Sequence, residues 1–267
     1  MKIDLLIIDP QNDFCDPKGS LHVPGADTDM VRLSQMILGG KEKLDHLRVT
    51  LDSHHLIHIA HPIWWIDKEG KHPNPYTQIQ LSDVTANGTQ PLWRATNPHL
   101  HKQSIEYIEQ LAKNARYPLF IWPPHCLIGS WGHSIYPQLF NSLKEWEDQF
   151  RIVDMVVKGS NITTEHYSAV KADVEDPEDP STLINTEFIE QLEKADLIGI
   201  AGEALSHCVA NTVRDIAKEF GDNQVKKFVL LEDATSSVPG FEQLGEDFVK
   251  EMVGKGMQVT QTKDFLS

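Results

Sequence analysis

The stretch "KIDLLIID", residues 2–9, is apolar almost without interruption and ends in an acid. A strand with one wet face alternates apolar and polar residues, whereas a strand buried on both faces of a parallel sheet does not. Similar short runs recur at "LRVTLD" (47–52), "PLFIWP" (118–123), "FRIVDMVVK" (150–158), "DLIGIAG" (196–202), "KKFVLLED" (226–233) and, more weakly, "MQVTQT" (257–262). Helical patterns fill the intervals, at roughly 28–46, 103–116, 133–148, 182–195, 206–220 and 241–255. Strands that alternate with helices in this way build right-handed βαβ units. The pattern therefore predicts an α/β fold, a doubly wound parallel sheet with helices on both faces.

Two stretches break the rhythm. Residues 67–101 are polar, rich in Pro and Asn, and without a clear period, and a connection that long reads as a functional loop or an insertion. "EDPEDPS" (175–181) is a shorter acidic loop. The remaining composition is that of one ordinary globular domain spanning 1–267, with 40% hydrophobic and 24% charged residues to build a core and a surface. A net charge of -15 argues against nucleic acid or an anionic membrane as partner, since both demand basic patches. The opening "MKIDLLIIDP" is too short and too acidic for a signal peptide, and no apolar run approaches the length of about 18 residues that spans a bilayer. Three cysteines, an odd number set far apart, do not make a disulfide framework, so a reducing cytoplasm is the expected location.

Ligands of open parallel sheets bind beyond the carboxyl ends of the strands. Asp9 follows the first run, Asp52 and His54 the second, His125 the third and Lys158 the fourth, while Cys208 opens the helix after the fifth. Chemically capable residues scattered over the chain thus converge on one edge. A cysteine at a helix N-terminus gains from backbone N–H groups, and a neighbouring ammonium would lower its pKa further. Asp9 is placed to accept the thiol proton.

Asp52 and His54, two apart on an extended segment, point the same way. With His125 they make an N/O donor set suited to Zn²⁺, Fe²⁺ or Mn²⁺. His55, His58 and His61 crowd the same segment. Cys126 is the rival nucleophile, but it lies beside His125 in "WPPHC" with no helix to lower its pKa, and Cys15 sits among acids. Both read as structural. Phe14 and Trp122 lie near strand ends, where two aromatic rings can sandwich a flat substrate.

The blocks "DPQNDFCDPKGSLHVPGA" (9–26), "LDSHH" (51–55), "WPPHCLIGSWG" (122–132), "VVKGSNITTEHYSA" (156–169) and "GEALSHCVANTVRDIA" (202–217) carry a resemblance. In that order they resemble the isochorismatase-like cysteine hydrolases, most of all the nicotinamidase/pyrazinamidase branch. The resemblance implies a six-stranded parallel sheet, a catalytic set of Asp9, Lys158 and Cys208, and a cis peptide between Glu203 and Ala204. It also implies an oxyanion hole from the N–H groups of Ala204 and Cys208, a metal held by Asp52, His54 and His125, and ring clamps at Phe14 and Trp122. The chain departs from the branch at Glu203 and Ser206, at "HPIWWID" after the histidine cluster, and in the length of the 67–101 segment.

The expected activity is that of a metal-assisted cysteine amidohydrolase of NAD metabolism. It would act on a small carboxamide, with nicotinamide the foremost candidate, through a thioester and with Zn²⁺ as the foremost metal; a homo-oligomer is the expected assembly. Two other activities compete, hydrolysis of an N-carbamoyl or ureido compound and isochorismatase-type vinyl ether hydrolysis. A non-catalytic binding protein is the reading from another class. It predicts loss of Asp9, Lys158 or Cys208, and all three are present.

Overall fold

The computed structural model describes residues 1–85, 90–113 and 117–267. Six strands form one sheet: β1 (Ile3–Ile8), β2 (His46–Asp52), β3 (Asp154–Lys158), β4 (Leu197–Gly202), β5 (Phe228–Leu231) and β6 (Gln258–Thr260). All neighbours run parallel, in the order β6–β5–β4–β1–β2–β3. The chain winds outward from β1 to β3, then crosses back to lay β4 on the other side of β1. The junction of β1 and β4 is therefore the topological switch point, where a crevice opens beyond the strand ends.

All six residues of β1 are buried because both faces of the sheet are covered. Ile3, Leu5 and Ile7 enter one core cluster with helices α1 (Ala26–Gly40) and α3 (Pro137–Glu147). The same cluster takes Tyr107, Ile108 and Leu111 of α2 (His101–Lys113), which pack with Trp64 and Trp65. Leu6 and Ile8 point the other way, into a cluster with α4 (Thr186–Glu193), α5 (Ala210–Phe220) and α6 (Glu242–Gly254). The absence of alternation in "KIDLLIID" thus reflects a two-sided burial.

The register sets up the chemistry. Asp52 stands opposite Lys158 across the β2–β3 pair, and Ile8 opposite Gly202 across β1–β4. Both pairs are the last of their ladders, so the residues beyond them emerge together.

Two expectations change. "PLFIWP" is not a strand of the main sheet: only Leu119–Phe120 is extended, and it pairs antiparallel with Gln78–Ile79. Pro123 and Pro124 follow it with no N–H to donate, so a ladder cannot continue there, and the place beside β2 is taken by β3. "FRIVDMVVK" is a strand only from Asp154, since Phe150 has φ 58, outside the extended region. The 67–101 segment holds Arg94–Ala95, paired antiparallel with Trp65–Ile66, and a short helix, Leu81–Val84. Its residues 86–89 lie outside the described residues, as do 114–116 at the end of the expected 103–116 helix.

Gly202 is the backbone pivot of the switch point. It has φ 107, and a Cβ there would stand 2.0 Å from the Ile8 carbonyl oxygen. Gly202→Ala should therefore combine left-handed strain with a backbone clash and cost more than about 3 kcal/mol, read as a lowered denaturant midpoint.

Candidate active site

Beyond the switch point the chain makes a close turn. Asp9 follows β1 with φ 45 and is fully buried. Its N–H is held by Thr50 O (3.2 Å) and Thr50 Oγ1 (3.0 Å), and the Thr50 hydroxyl donates to Asp9 Oδ1 at 2.5 Å. Gln11 fastens the end of β2 by accepting from Asp52 N and donating to Asp52 O, each at 2.7 Å. Neither Thr50 nor Gln11 stands out in the sequence, because a polar residue acts as a clamp only once its partners are known.

Lys158, at the end of β3, sits among acceptors. Its Nζ lies 2.9 Å from Asp9 Oδ2, 3.0 Å from Asp52 Oδ1 and 2.9 Å from the His166 carbonyl, with Cys208 Sγ at 3.7 Å. Burial opposes the charge on Lys158, but Asp52 and Asp9 outweigh it and hold the ammonium protonated well above its ordinary range. Burial likewise raises the Asp9 carboxyl, and Lys158 pulls it back.

After β4 the Glu203–Ala204 peptide is cis. A single wide turn, Leu205–Val209, carries Cys208 and leads into α5, so the cysteine precedes the regular helix by two residues. Neighbouring amides are committed to the turn: Glu203 N–H to Ile8 O (2.7 Å), Leu205 N–H to Ser236 O (2.8 Å), and the N–H groups of His207 and Val209 to Ala204 O (3.0 and 3.2 Å). Burial pushes the Cys208 thiol well above its ordinary range; Lys158 lowers it, while Asp9 and Asp52 raise it. Burial thus works against the thiolate that a helix terminus alone would favour, and Lys158, 3.7 Å from the sulfur, is the group that supports it. Cys15 and Cys126 lie inside the hydrophobic core, and burial raises both thiols.

Asp52 also faces the histidines. Its Oδ2 is 2.9 Å from His54 Nε2 and 3.3 Å from His125 Nε2, and ligand atoms of these three residues lie within 4.8 Å of one another. Burial alone would raise Asp52, yet His54, Lys158 and His125 hold it well below the ordinary carboxylate range. Asp9 and Asp52 face one ammonium, and Glu165 is a third carboxyl buried at the same locus. Glu165 Oε1 lies 4.0 Å from His54 Nε2, and its Oε2 has no hydrogen-bond partner. Buried carboxyls in such excess suit a divalent cation, so the donor set fits a metal on its own chemistry. His125 arrives on an irregular loop, steadied by a bridge between His54 and Leu127.

A cavity opens over Cys208 and Lys158. Phe14 and Trp122 line it, as do Tyr167, His207, Leu21 and Val238. Trp122 donates from Nε1 to the Tyr167 hydroxyl at 2.9 Å, which fixes the plane of its ring. The structure thus brings Asp9, Phe14, Asp52, His54, Trp122, His125, Lys158, Ala204 and Cys208 to one locus. It adds Glu165, Tyr167 and His207, which had no distinguishing sequence signal of their own.

No family model matches the chain. It is 26% identical over 216 residues to a nicotinamidase of Saccharomyces cerevisiae, covering 80% of this chain and 81% of the relative. Among solved structures it is similar to the yeast nicotinamidase (TM-score 0.66, 20% identity, 97% of this chain and 99% of the other). It is also similar to an Acinetobacter nicotinamidase/pyrazinamidase (0.65, 21%, 98% and 97%) and to a Pyrococcus horikoshii pyrazinamidase in complex with zinc (0.58, 19%, 98% and 99%).

The ion pairs of Lys158 should show in stability. Lys158→Met leaves Asp9 and Asp52 buried without their cation and should cost about 3–5 kcal/mol in thermal or denaturant unfolding. Adding Asp9→Asn should recover part of that loss.

Glu203 offers a pH test. Burial, and then Asp29 beside it, raise its carboxyl well above the ordinary 4.5. The folded state therefore binds this proton more tightly than the unfolded chain, and stability falls as pH climbs above about 4.5. Glu203→Gln should remove that fall, so the variant gains on the wild type between pH 5 and 8 in paired melts; parallel curves would contradict the assignment. With this turn, this sheet order and these relatives, the chain has the fold seen in the isochorismatase-like hydrolases and is similar to nicotinamidases and pyrazinamidases.

Proposed function

We propose that the protein is a cysteine amidohydrolase that converts a small planar carboxamide, foremost nicotinamide, to its carboxylate and ammonia. The observation that carries this reading is the Cys208–Lys158–Asp9 contact set at the floor of a cavity lined by aromatic rings. The similarity to nicotinamidases supports the choice of substrate.

Asp9 takes the thiol proton as Cys208 Sγ bonds to the amide carbon, and the carbonyl becomes a tetrahedral oxyanion. Ala204 and Cys208 donate their backbone N–H groups to that oxygen, fixed donors that need no reorganisation. Protonated Asp9 then gives its proton to the departing nitrogen, the C–N bond breaks, and ammonia leaves behind a thioester. A water, deprotonated by Asp9, attacks the thioester carbon; the acid departs and the thiol regains its proton. Lys158 stays charged throughout, holding Asp9 in place and favouring negative charge on sulfur. Asp52, His54 and His125 would hold a divalent ion, Zn²⁺ the best match to the donors, which when bound supplies Lewis-acid capture of a basic ring nitrogen. Phe14 and Trp122 flank the ring. Tyr76 meets Trp122 edge-on with centroids 5.9 Å apart, which supports 67–101 as an insertion that tunes substrate range.

The test is ammonia release from a panel of amides that includes nicotinamide, pyrazinamide and N-carbamoyl compounds. Activity on the aromatic amides should be lost in Cys208→Ala, retained in Cys126→Ala and reduced by chelator. Release from N-carbamoyl compounds alone, unaffected by chelator, would favour the ureido reading instead.

A further inference from the structure

The segment 235–238, beyond β5, lies against the Glu203–Val209 turn, and Ser236 links the two. Its N–H donates to Glu203 Oε2 at 3.1 Å, its carbonyl accepts from Leu205 N–H at 2.8 Å, and its hydroxyl donates to Asp29 Oδ2 at 2.6 Å. Every polar group of Ser236 is therefore engaged, and two of the three contacts go to the residues on either side of Ala204. Two positions on, Val238 N–H donates to Ser206 Oγ at 3.1 Å, and Val238 lines the cavity over Cys208.

Glu203 and Ser206 are also the residues at which this turn departs from the nicotinamidase/pyrazinamidase branch. Both departures thus bear on one segment. Glu203 is fully buried, and a carboxyl shut away from water is unfavourable where a leucine would simply pack. Leucine, however, would leave the Ser236 N–H without an acceptor. Asp29, which accepts from Arg32 Nη1 at 2.9 Å, and burial together favour the uncharged form of Glu203. A neutral carboxyl offers Ser236 N–H a carbonyl oxygen, as an amide would.

We propose that Glu203 is a positioning residue for the reaction: it holds Ser236, and through Ser236 it fixes Ala204 as an oxyanion donor. The inference rests on the amidohydrolase reading above. Oxyanion donors act because they stand in place before charge develops, and an N–H free to swing loses that advantage. Ala204 lies between two tethers to one residue, the Glu203 side chain before it and the Leu205 N–H after it. Val238 is held separately, by Ser206, so the cavity wall does not depend on Glu203. The role is therefore one of rate rather than of substrate binding.

The test sets Glu203→Leu against Glu203→Gln in the full-length protein. Leucine keeps the bulk and removes the acceptor, whereas glutamine keeps the acceptor and the absence of charge. Hydrogen–deuterium exchange of the substrate-free protein, read over 203–209 and 235–238, should run about tenfold faster or more in the leucine variant and return to the wild-type rate in the glutamine variant. With nicotinamide, kcat should fall about 10–100-fold in Glu203→Leu with KM within about twofold of the wild type, and Glu203→Gln should restore it. One check needs no variant to fold: the wild-type Leu205 and Ser236 amides should exchange more slowly than amides of exposed loops. Wild-type amides that exchange as fast as exposed ones, an unchanged kcat in a folded Glu203→Leu, or a glutamine variant as impaired as the leucine one overturns the proposal. A wild type that releases ammonia from no amide overturns the activity reading and the positioning role that rests on it, while the exchange rates still report the clamp.

Discussion

An ammonium group without water is tolerated only where carboxylates surround it, and the site of this protein is arranged around one such group. Lys158 lies between Asp9 and Asp52, at 2.9 and 3.0 Å, with almost no access to solvent. Each half of the chemistry hangs on one arm of that contact. Asp9 turns toward the Cys208 thiol, and Asp52 turns its other oxygen toward His54 and His125. At an effective dielectric of 20 a charge pair near 4 Å is worth about 4 kcal/mol, several times the ~0.3–1 kcal/mol of a helix terminus. The lysine therefore outweighs the turn as the source of electrostatic support for sulfur.

The sheet makes this contact inevitable. Parallel register sets Asp52 opposite Lys158 at the last rung of β2 and β3, and sets β4 beside β1 so that Asp9 and the Glu203–Val209 turn emerge together. No loop has to search for its partner. The loops supply the remaining groups, His125 and Trp122 among them.

Much of this was legible in the residues. The apolar runs of β1 and β4 announced burial on two faces, and strand-end positions singled out Asp9, Asp52, Lys158 and Cys208. "PLFIWP" misled because an apolar run reports burial, not sheet membership, and the prolines that end it, Pro123 and Pro124, carried the decisive information. The upward push on the Cys208 thiol was illegible for another reason. Its burial depends on a turn that forms only when β4 lies against β1. Thr50, Gln11 and Glu165 were equally hidden, since an ordinary polar residue becomes a clamp or a buried charge only through what surrounds it.

The claim at the centre of this account is that Cys208 carries the acyl group between the loss of ammonia and the attack of water. Rapid acid quench during turnover of nicotinamide, followed by peptide mass spectrometry, reads that species directly. The account predicts a nicotinoyl thioester on the peptide containing Cys208, formed within the first turnover and discharged as substrate runs out. Turnover with no acylated peptide, or an adduct on Cys126, would contradict it.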